Sequence, residues 1–450
     1  MRPPLNQRPL PPTSTNLVEQ EPARGSPPAW LSWSVWGVAA LFYLSGFYQR
    51  VSPAVMTSEL MHSFGISAKD LGNLSAFYFY TYVAMQIPTG VLVDSWGARK
   101  LLIAGSISAA AGTFLFGATD NFALACVGRA IVGGATAVGW LVLLKLATHW
   151  FPAQRFAMLS GLGLFFGNIG ALAAQVPLRL MIEHLGWRSV VLGSAGVVFG
   201  VCLLAWVFVR NDPIDKGFRS YAPSALQRKA TIGVSALGAG FRKIFAYRNT
   251  WLIFFAQGSM VGSILSFTGL WGTPFLKARF GLAPASGAAV CSVMIVCWAV
   301  ASRICGALSD RIGRRKPIYL CGCLTAAIGW IVMVYATLLP LAAFVVVAAL
   351  TSLASGAVVL GFAYGKESVP VQFLGTISGA INIGNMIGPM VLQPGIGRIL
   401  DQKWSGQMAN GLRVYAVDAF QAAFLLMVAW LVLACVLISL TRETYCKPIA

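Results

Sequence analysis

The chain has 450 residues, of which 57% are hydrophobic and 10% charged, and its formal net charge is +19. An ordinary soluble domain is about 25% charged, so a water-soluble enzyme or binding module is excluded, and apolar runs of about 20 residues, enough to cross a bilayer, recur from end to end. The basic excess sits in alternate loops between those runs, the positive-inside pattern of a membrane protein, and no basic soluble unit is left to hold nucleic acid.

Residues 1–32 are rich in Pro and polar types and lack the apolar stretch of a signal peptide, so a disordered cytoplasmic tail is expected there. Six helical spans are predicted near 33–56, 71–93, 101–119, 122–148, 155–178 and 188–209, an N-terminal bundle over 33–209. The connector 210–250 is polar and basic, with Arg219, Arg228, Lys229, Arg242 and Lys243. Six more spans near 251–276, 285–307, 317–339, 340–364, 372–400 and 415–441 make a C-terminal bundle over 251–441, followed by a short cytoplasmic tail, 442–450. The cysteines lie mostly inside apolar runs, without metal-ligand spacing apart from Cys321-Gly-Cys323, so neither a metal nor a cofactor is expected.

Two stretches repeat: Gly90–Lys100 reads GVLVDSWGARK, and Gly306–Lys316 reads GALSDRIGRRK 216 residues later. Gly167-Asn168 with Gln175 is echoed by Gly384-Asn385 with Gln393, and Pro53 by Pro274, at offsets of 217 to 221. A period of half the chain means two duplicated halves. The doubled pattern Gly-x-x-x-Asp-x-x-Gly-x-Arg-Arg/Lys, with Arg129–Ala137 (RAIVGGATA) in the fourth span, resembles the signatures of the major facilitator superfamily. The resemblance covers nearly the whole chain outside the tails. It implies an all-α membrane protein of 12 helices in two pseudo-symmetric six-helix bundles, a secondary transporter working by alternating access with its solute held between the halves.

Gating candidates are Gly90, Asp94, Gly97 and Arg99 in the first repeat, and Gly306, Asp310, Arg311, Gly313 and Arg314 in the second. A carboxylate beside a guanidinium at a helix end makes a charge-assisted latch that must break when helices separate. The expected pairs are Asp94 with Arg99 and Asp310 with Arg314; the alternative is that these charges only cap helix ends and fix topology. Ser95 stands where the second copy has Arg311, which predicts a weaker first latch.

Arg50 is the leading substrate candidate, because an ionised side chain inside a span costs about 2.5–3.5 kcal/mol. It either coordinates an anion from a central cavity, as the first-span Arg of organic-anion carriers in this superfamily implies, or snorkels to the interface. Trp271 stands where organophosphate exchangers of the family carry a second Arg, which favours a carboxylate over a phosphate; it reads equally as an interfacial aromatic. Tyr78 and Tyr82 share a helix face, for cavity lining or packing. Asn168, Gln175, Asn382, Asn385 and Gln393 need partners in hydrocarbon, from solute or from neighbouring helices. Arg129 resembles the family residue linked to proton coupling, or anchors a helix end; Lys145 steers an anion or snorkels.

No carboxylate falls mid-span, and no nucleotide-binding or zinc-hydrolase signature is present, so no enzyme is expected. The expectation is a monomeric carrier in the cell inner membrane with both termini cytoplasmic. It would move a small organic anion of carboxylate or sugar-acid type, with protons as the coupling ion. Exchange of phosphorylated solutes, a transport-fold sensor signalling to a partner protein, and export of amphipathic compounds are the alternatives.

Overall fold

The computed structural model describes residues 25–222, 240 and 242–448. Residues 1–24 of the expected tail, and Arg228 and Lys229 of the connector, lie outside the described residues. Ten helices are long and apolar enough to cross a membrane: α1 (Ala29–Val55), α4 (Ala98–Ala118), α5 (Phe122–Trp150), α6 (Ala153–Leu185), α7 (Trp187–Phe208), α8 (Arg248–Phe280), α9 (Pro284–Ile312), α10 (Lys316–Tyr335), α11 (Leu341–Glu367) and α13 (Val417–Ser439). A short α2 (Thr57–Phe64) follows α1. Two more rods, α3 (Ala68–Ser95, 28 residues) and α12 (Leu374–Gln402, 29 residues), have spanning length but a more polar sequence. With them the described residues hold twelve rods, six on either side of the connector, consistent with the count expected from sequence.

Local chemistry sets the boundaries. Asn121 caps α5, its side chain accepting from the N–H groups of Ala123 and Leu124, which satisfies donors that a helix start leaves free. Pro284 and Pro317 stand in the first turns of α9 and α10, where their missing N–H costs nothing. Several rods depart from regular α-helix along their length. Pro53 opens a 3-10 turn, Ser52–Val55, at the end of α1, α8 carries a π-helical turn at Phe267–Trp271, and α11 a 3-10 turn at Gly356–Val359.

The two least apolar rods lie against each other: α3 of one bundle packs along α12 of the other, the most extensive helix–helix contact in the molecule. Sequences that carry Gln86, Asn382, Asn385 and Gln393 are sheltered there from lipid, and the amides of Gln86, Asn382 and Gln393 find partners. One buried apolar cluster runs from the far part of the N-terminal bundle continuously into the C-terminal bundle. A second, with Val35, Val142, Trp150 and Leu159, stays within the N-terminal bundle near the termini. The bundles are therefore fused at the end distal to the termini.

Candidate functional site

Arg50 sits in the last turn of the α-helical part of α1, immediately before the 3-10 turn Ser52–Val55, which packs on the π turn of α8 in the other bundle. Arg50 therefore stands next to the turn that joins the two bundles. Arg50 is 4% exposed, so the snorkelling alternative does not describe it. Its guanidinium carbon lies 4.5 Å from the ring centroid of Phe47, 4.9 Å from Tyr82 and 5.5 Å from Tyr78. Desolvated cation–π contacts reach about 2 kcal/mol each, enough for three rings to offset the about 2.5–3.5 kcal/mol insertion cost. The Tyr78 side chain also hydrogen-bonds the guanidinium. Arg50 Nε has no hydrogen-bond partner, and no carboxylate among the described residues lies within ion-pair distance. Arg50 Nε is thus left free to receive an anion.

Tyr78 and Tyr82 stack at 5.9 Å and 17°, as their spacing along α3 requires. The Tyr78 hydroxyl is fixed from both sides, donating to the Gly46 carbonyl at 3.2 Å and accepting from Thr136 at 2.8 Å. Arg129 lies on the same ring, 5.2 Å from the Tyr78 centroid, and is 1% exposed. It donates to the Gln49 carbonyl at 2.7 Å, while its Nε and Nη2 are unpartnered. Arg129 is thus no interfacial anchor: it lies two turns inside α5, and its side chain runs inward to the residue preceding Arg50.

The remaining substrate candidates gather elsewhere. A π turn leaves carbonyls without their usual i+4 donors, and glutamines from both halves fill the gap. Gln175 Nε2 donates to the Thr268 carbonyl at 2.8 Å, and Gln393 Nε2 to that of Leu265 at 3.3 Å. Trp271 is buried, its Nε1 donating to the Gln393 carbonyl at 3.0 Å, so it is not at an interface with lipid headgroups. Asn168 bonds the Leu164 carbonyl of its own helix. Asn382 donates to Gln86 of α3 at 3.0 Å, a second bond between the bundles, and Asn385 is buried with its Oδ1 unpartnered. The structure brings Arg50, Tyr78, Tyr82 and Arg129 together and places Gln175, Trp271 and Gln393 around the π turn.

At the termini end the expected latch partners are corrected. Asp94 pairs with Lys145 at 2.8 Å, not with Arg99. Arg99 instead reaches the Trp206 carbonyl at 2.8 Å, because its backbone N–H is drawn to Asn211 Oδ1 at 2.9 Å at the end of α7. Lys145 also donates to the Val93 carbonyl at 2.7 Å, so it neither snorkels nor stands free. In the second half Asp310 pairs with Arg315 at 2.6 Å, not with Arg314, which stacks on Tyr445. Arg315 also binds Glu367 at 2.8 Å, and the Glu443 carboxylate caps the backbone N–H groups of Arg315 and Lys316. The second charge network is the larger one, but through Arg315, Glu367 and Glu443 and not through Arg311, which is exposed and forms no ion pair among the described residues.

Sequence reasoning missed Asn211 and Glu443. Each lies just past the last helix of its bundle and turns back onto the helix that follows the gate motif. A polar or acidic residue at that point beside basic neighbours was the available signal. Gly97 and Gly313 hold φ of 85° and 70°, values that only glycine adopts without strain, at the turns after α3 and α9. A Cβ on Gly90 or Gly306 would meet nothing within 4 Å. An open groove of about 800 Å³ is walled by Phe77, Met85, Trp96, Ile131 and other apolar residues of α3, α4 and α5, and touches neither buried arginine.

Two six-helix bundles fused at one end, with a repeated Gly-x-x-x-Asp motif at the other and two buried arginines without carboxylate partners among the described residues, define a membrane protein of the two-bundle type. The description of the Major Facilitator Superfamily matches the chain twice, over residues 35–302 and 260–445, and the chain belongs to that superfamily. A Cupriavidus necator protein named as a sulfoacetate transporter is 25% identical over 62% of this chain, a match that spans 65% of the relative's own length. An Agrobacterium vitis protein named as a tartrate transporter is 26% identical over 83% of this chain and 87% of its own. A zebrafish (Danio rerio) protein named as a choline/ethanolamine transporter is 23% identical over 91% and 84%. Among solved structures, a bacterial homologue of the lysosomal transporter Spinster superposes with a TM-score of 0.72 at 17% identity, covering 92% of this chain and 97% of the other. The nucleoside transporter NupG gives 0.67 at 14% identity, over 92% and 100%.

Proposed function

We propose that the protein is a secondary transporter that carries a small organic anion of the carboxylate or sugar-acid type by alternating access. The observation that carries this reading is the Arg50 guanidinium, buried in three aromatic rings with a free donor and no carboxylate in reach. An acid group supplies the charged acceptor that the rings lack. The relatives named for sulfoacetate and tartrate transport support it. An aromatic cage would also suit choline, but here the cage already holds a cation, and a second one would be repelled.

The basic loops at the termini end support an inner-membrane topology with both termini cytoplasmic. Proton symport is the proposed coupling. The carboxylates in ion pairs lie toward the two ends of the bundles, away from Arg50, so the proton would ride on the solute's own acid group. Anion exchange is the second reading, favoured by the lack of any carboxylate to neutralise Arg50 in an empty carrier. Uptake of a panel of labelled organic acids into proteoliposomes tests both. Symport predicts acceleration by an inwardly directed proton gradient, exchange predicts dependence on internal anion, and movement of neutral or cationic solutes alone would remove the anion reading.

A further inference from the structure

At the distal end, one carboxylate of the C-terminal bundle closes on a helix of the N-terminal bundle. Asp401, in the last turn of α12, accepts the Lys69 N–H at 2.8 Å through Oδ2 and the Ala68 N–H at 3.3 Å through Oδ1. These belong to the first turn of α3, whose own N-cap residue Ser67 makes no side-chain cap bond to that turn. A helix start carries unsatisfied N–H groups and partial positive charge, and a carboxylate there satisfies both. Gly397, one turn earlier in α12, lets the chains meet: a Cβ there would stand 2.3 Å from the Ala68 carbonyl oxygen.

The same carboxylate holds the connection between α12 and α13. Tyr415 donates to Asp401 at 2.6 Å while its hydroxyl also accepts from the Ala68 N–H at 3.2 Å, and Arg413 reaches Asp401 at 3.2 Å. Arg413 lies on the hairpin formed by β1 (Met408–Ala409) and β2 (Leu412–Arg413), and its guanidinium stacks 4.5 Å from Trp404. Asp401 is therefore the point where α3 of one bundle, the end of α12 of the other and the hairpin meet.

We infer that Asp401 is the gating residue of the distal mouth, a role the doubled motif at the other end does not cover. It caps α3 of the opposite bundle while the arginine site faces the termini, and it surrenders both N–H groups to water when the bundles part at the distal end. The inference rests on the carrier reading. Asp401→Asn keeps the shape but removes the charge and one of the two acceptors.

Distances between spin labels read both mouths in the full chain in lipid nanodiscs, using a non-cysteine labelled amino acid so that the native cysteines stay. His62 with Lys403 reports the distal mouth and Gln154 with Ile312 the termini end, all four being accessible to a label. Losing a hydrogen bond to a charged group shifts an equilibrium by about tenfold or more. Asp401→Asn is expected to move the populations by that factor toward long distal and short termini-end distances, with Tyr415→Phe moving them the same way by less. Unchanged populations in Asp401→Asn would overturn the inference, as would broadening at both mouths with a lowered Tm, the signature of a purely structural residue. A single fixed distance at each mouth in the unsubstituted protein would overturn the carrier reading itself.

Discussion

Arg50 and Arg129 lean on the same Tyr78 ring, their guanidinium carbons 5.5 and 5.2 Å from its centroid. Two buried cations share one aromatic ring and neither has a carboxylate partner among the described residues. A site of that kind attracts anions and holds them by planar, bidentate donors, which lysine does not provide. Arg50→Lys keeps the charge but loses the fork. Hydrogen bonds to charged groups contribute about 1.5–3 kcal/mol, so the KM for the transported anion should rise by about tenfold or more in initial-rate uptake, and Arg50→Gln should abolish uptake while leaving Tm near that of the unsubstituted protein.

The two charge networks at the termini end differ in kind, and single substitutions separate them. Asp94 is 55% exposed in its pair with Lys145, and exposed pairs are worth about 0.2–1 kcal/mol. Arg315 and Glu367 are 9% and 12% exposed at 2.8 Å, where removing one partner strands a charge at a cost of about 3–5 kcal/mol. Thermal unfolding of Asp94→Asn should thus differ little from the parent, while Glu367→Gln should lower Tm clearly. Asp94→Asn should still slow transport without loss of binding. An equal drop in Tm for both variants would contradict the asymmetry.

Gly90 and Gly306 are surrounded by open space in this conformation, so nothing here demands glycine. Their demand arises if the bundles close on the termini end in the opposite state, bringing helices against those positions. Gly90→Leu and Gly306→Leu should therefore leave Tm of the present state unchanged and cut transport by about tenfold or more, the effect of about 1.4 kcal/mol or more of overpacking in one state only. Full transport rates in both variants would count against closure at this face.

His149 Nδ1 lies 2.6 Å from Asp212 Oδ2, at the junction of α5 with the connector. Burial alone would raise the Asp212 carboxyl, but the bonds from His149, the Ile214 N–H and Ser220 outweigh it and hold the pKa below its ordinary 3.8. A depressed pKa in the folded state contributes stability that is present above the unfolded value and is lost as pH falls through the depressed one. Stability should therefore decline on acidification below about pH 4. In Asp212→Asn, Tm should start lower at neutral pH and lose part of that acid dependence.

The rods were legible because their signals are local. Apolar runs bounded by charges place α4 at 98–118 where 101–119 was expected, and α13 at 417–439 where 415–441 was expected. Duplication of the gate motif supplied the two-bundle plan, and the cost of an ionised side chain in a span singled out Arg50. Partnerships across the chain were not legible. Lys145 lies 51 residues from Asp94, Glu443 128 from Arg315, and Asp401 332 from Lys69; residue pattern carries no information about such meetings. For Gln175 and Gln393 solute and neighbouring helices stayed equally open, because nothing in Phe267–Trp271 signals a π turn. Only the folded chain brings the carbonyls that this turn leaves to them.

The central claim is that Arg50 receives the solute's acid group beside the turn that joins the two bundles. It is tested most directly by counterflow in proteoliposomes loaded with unlabelled tartrate and supplied with labelled tartrate, sulfoacetate, glucarate or choline, for the parent and for Arg50→Gln side by side. The account predicts accumulation of at least one labelled acid by the parent, none of choline, and none of any acid by Arg50→Gln. Accumulation of an acid by Arg50→Gln at the parental rate, or of choline by the parent, would contradict it.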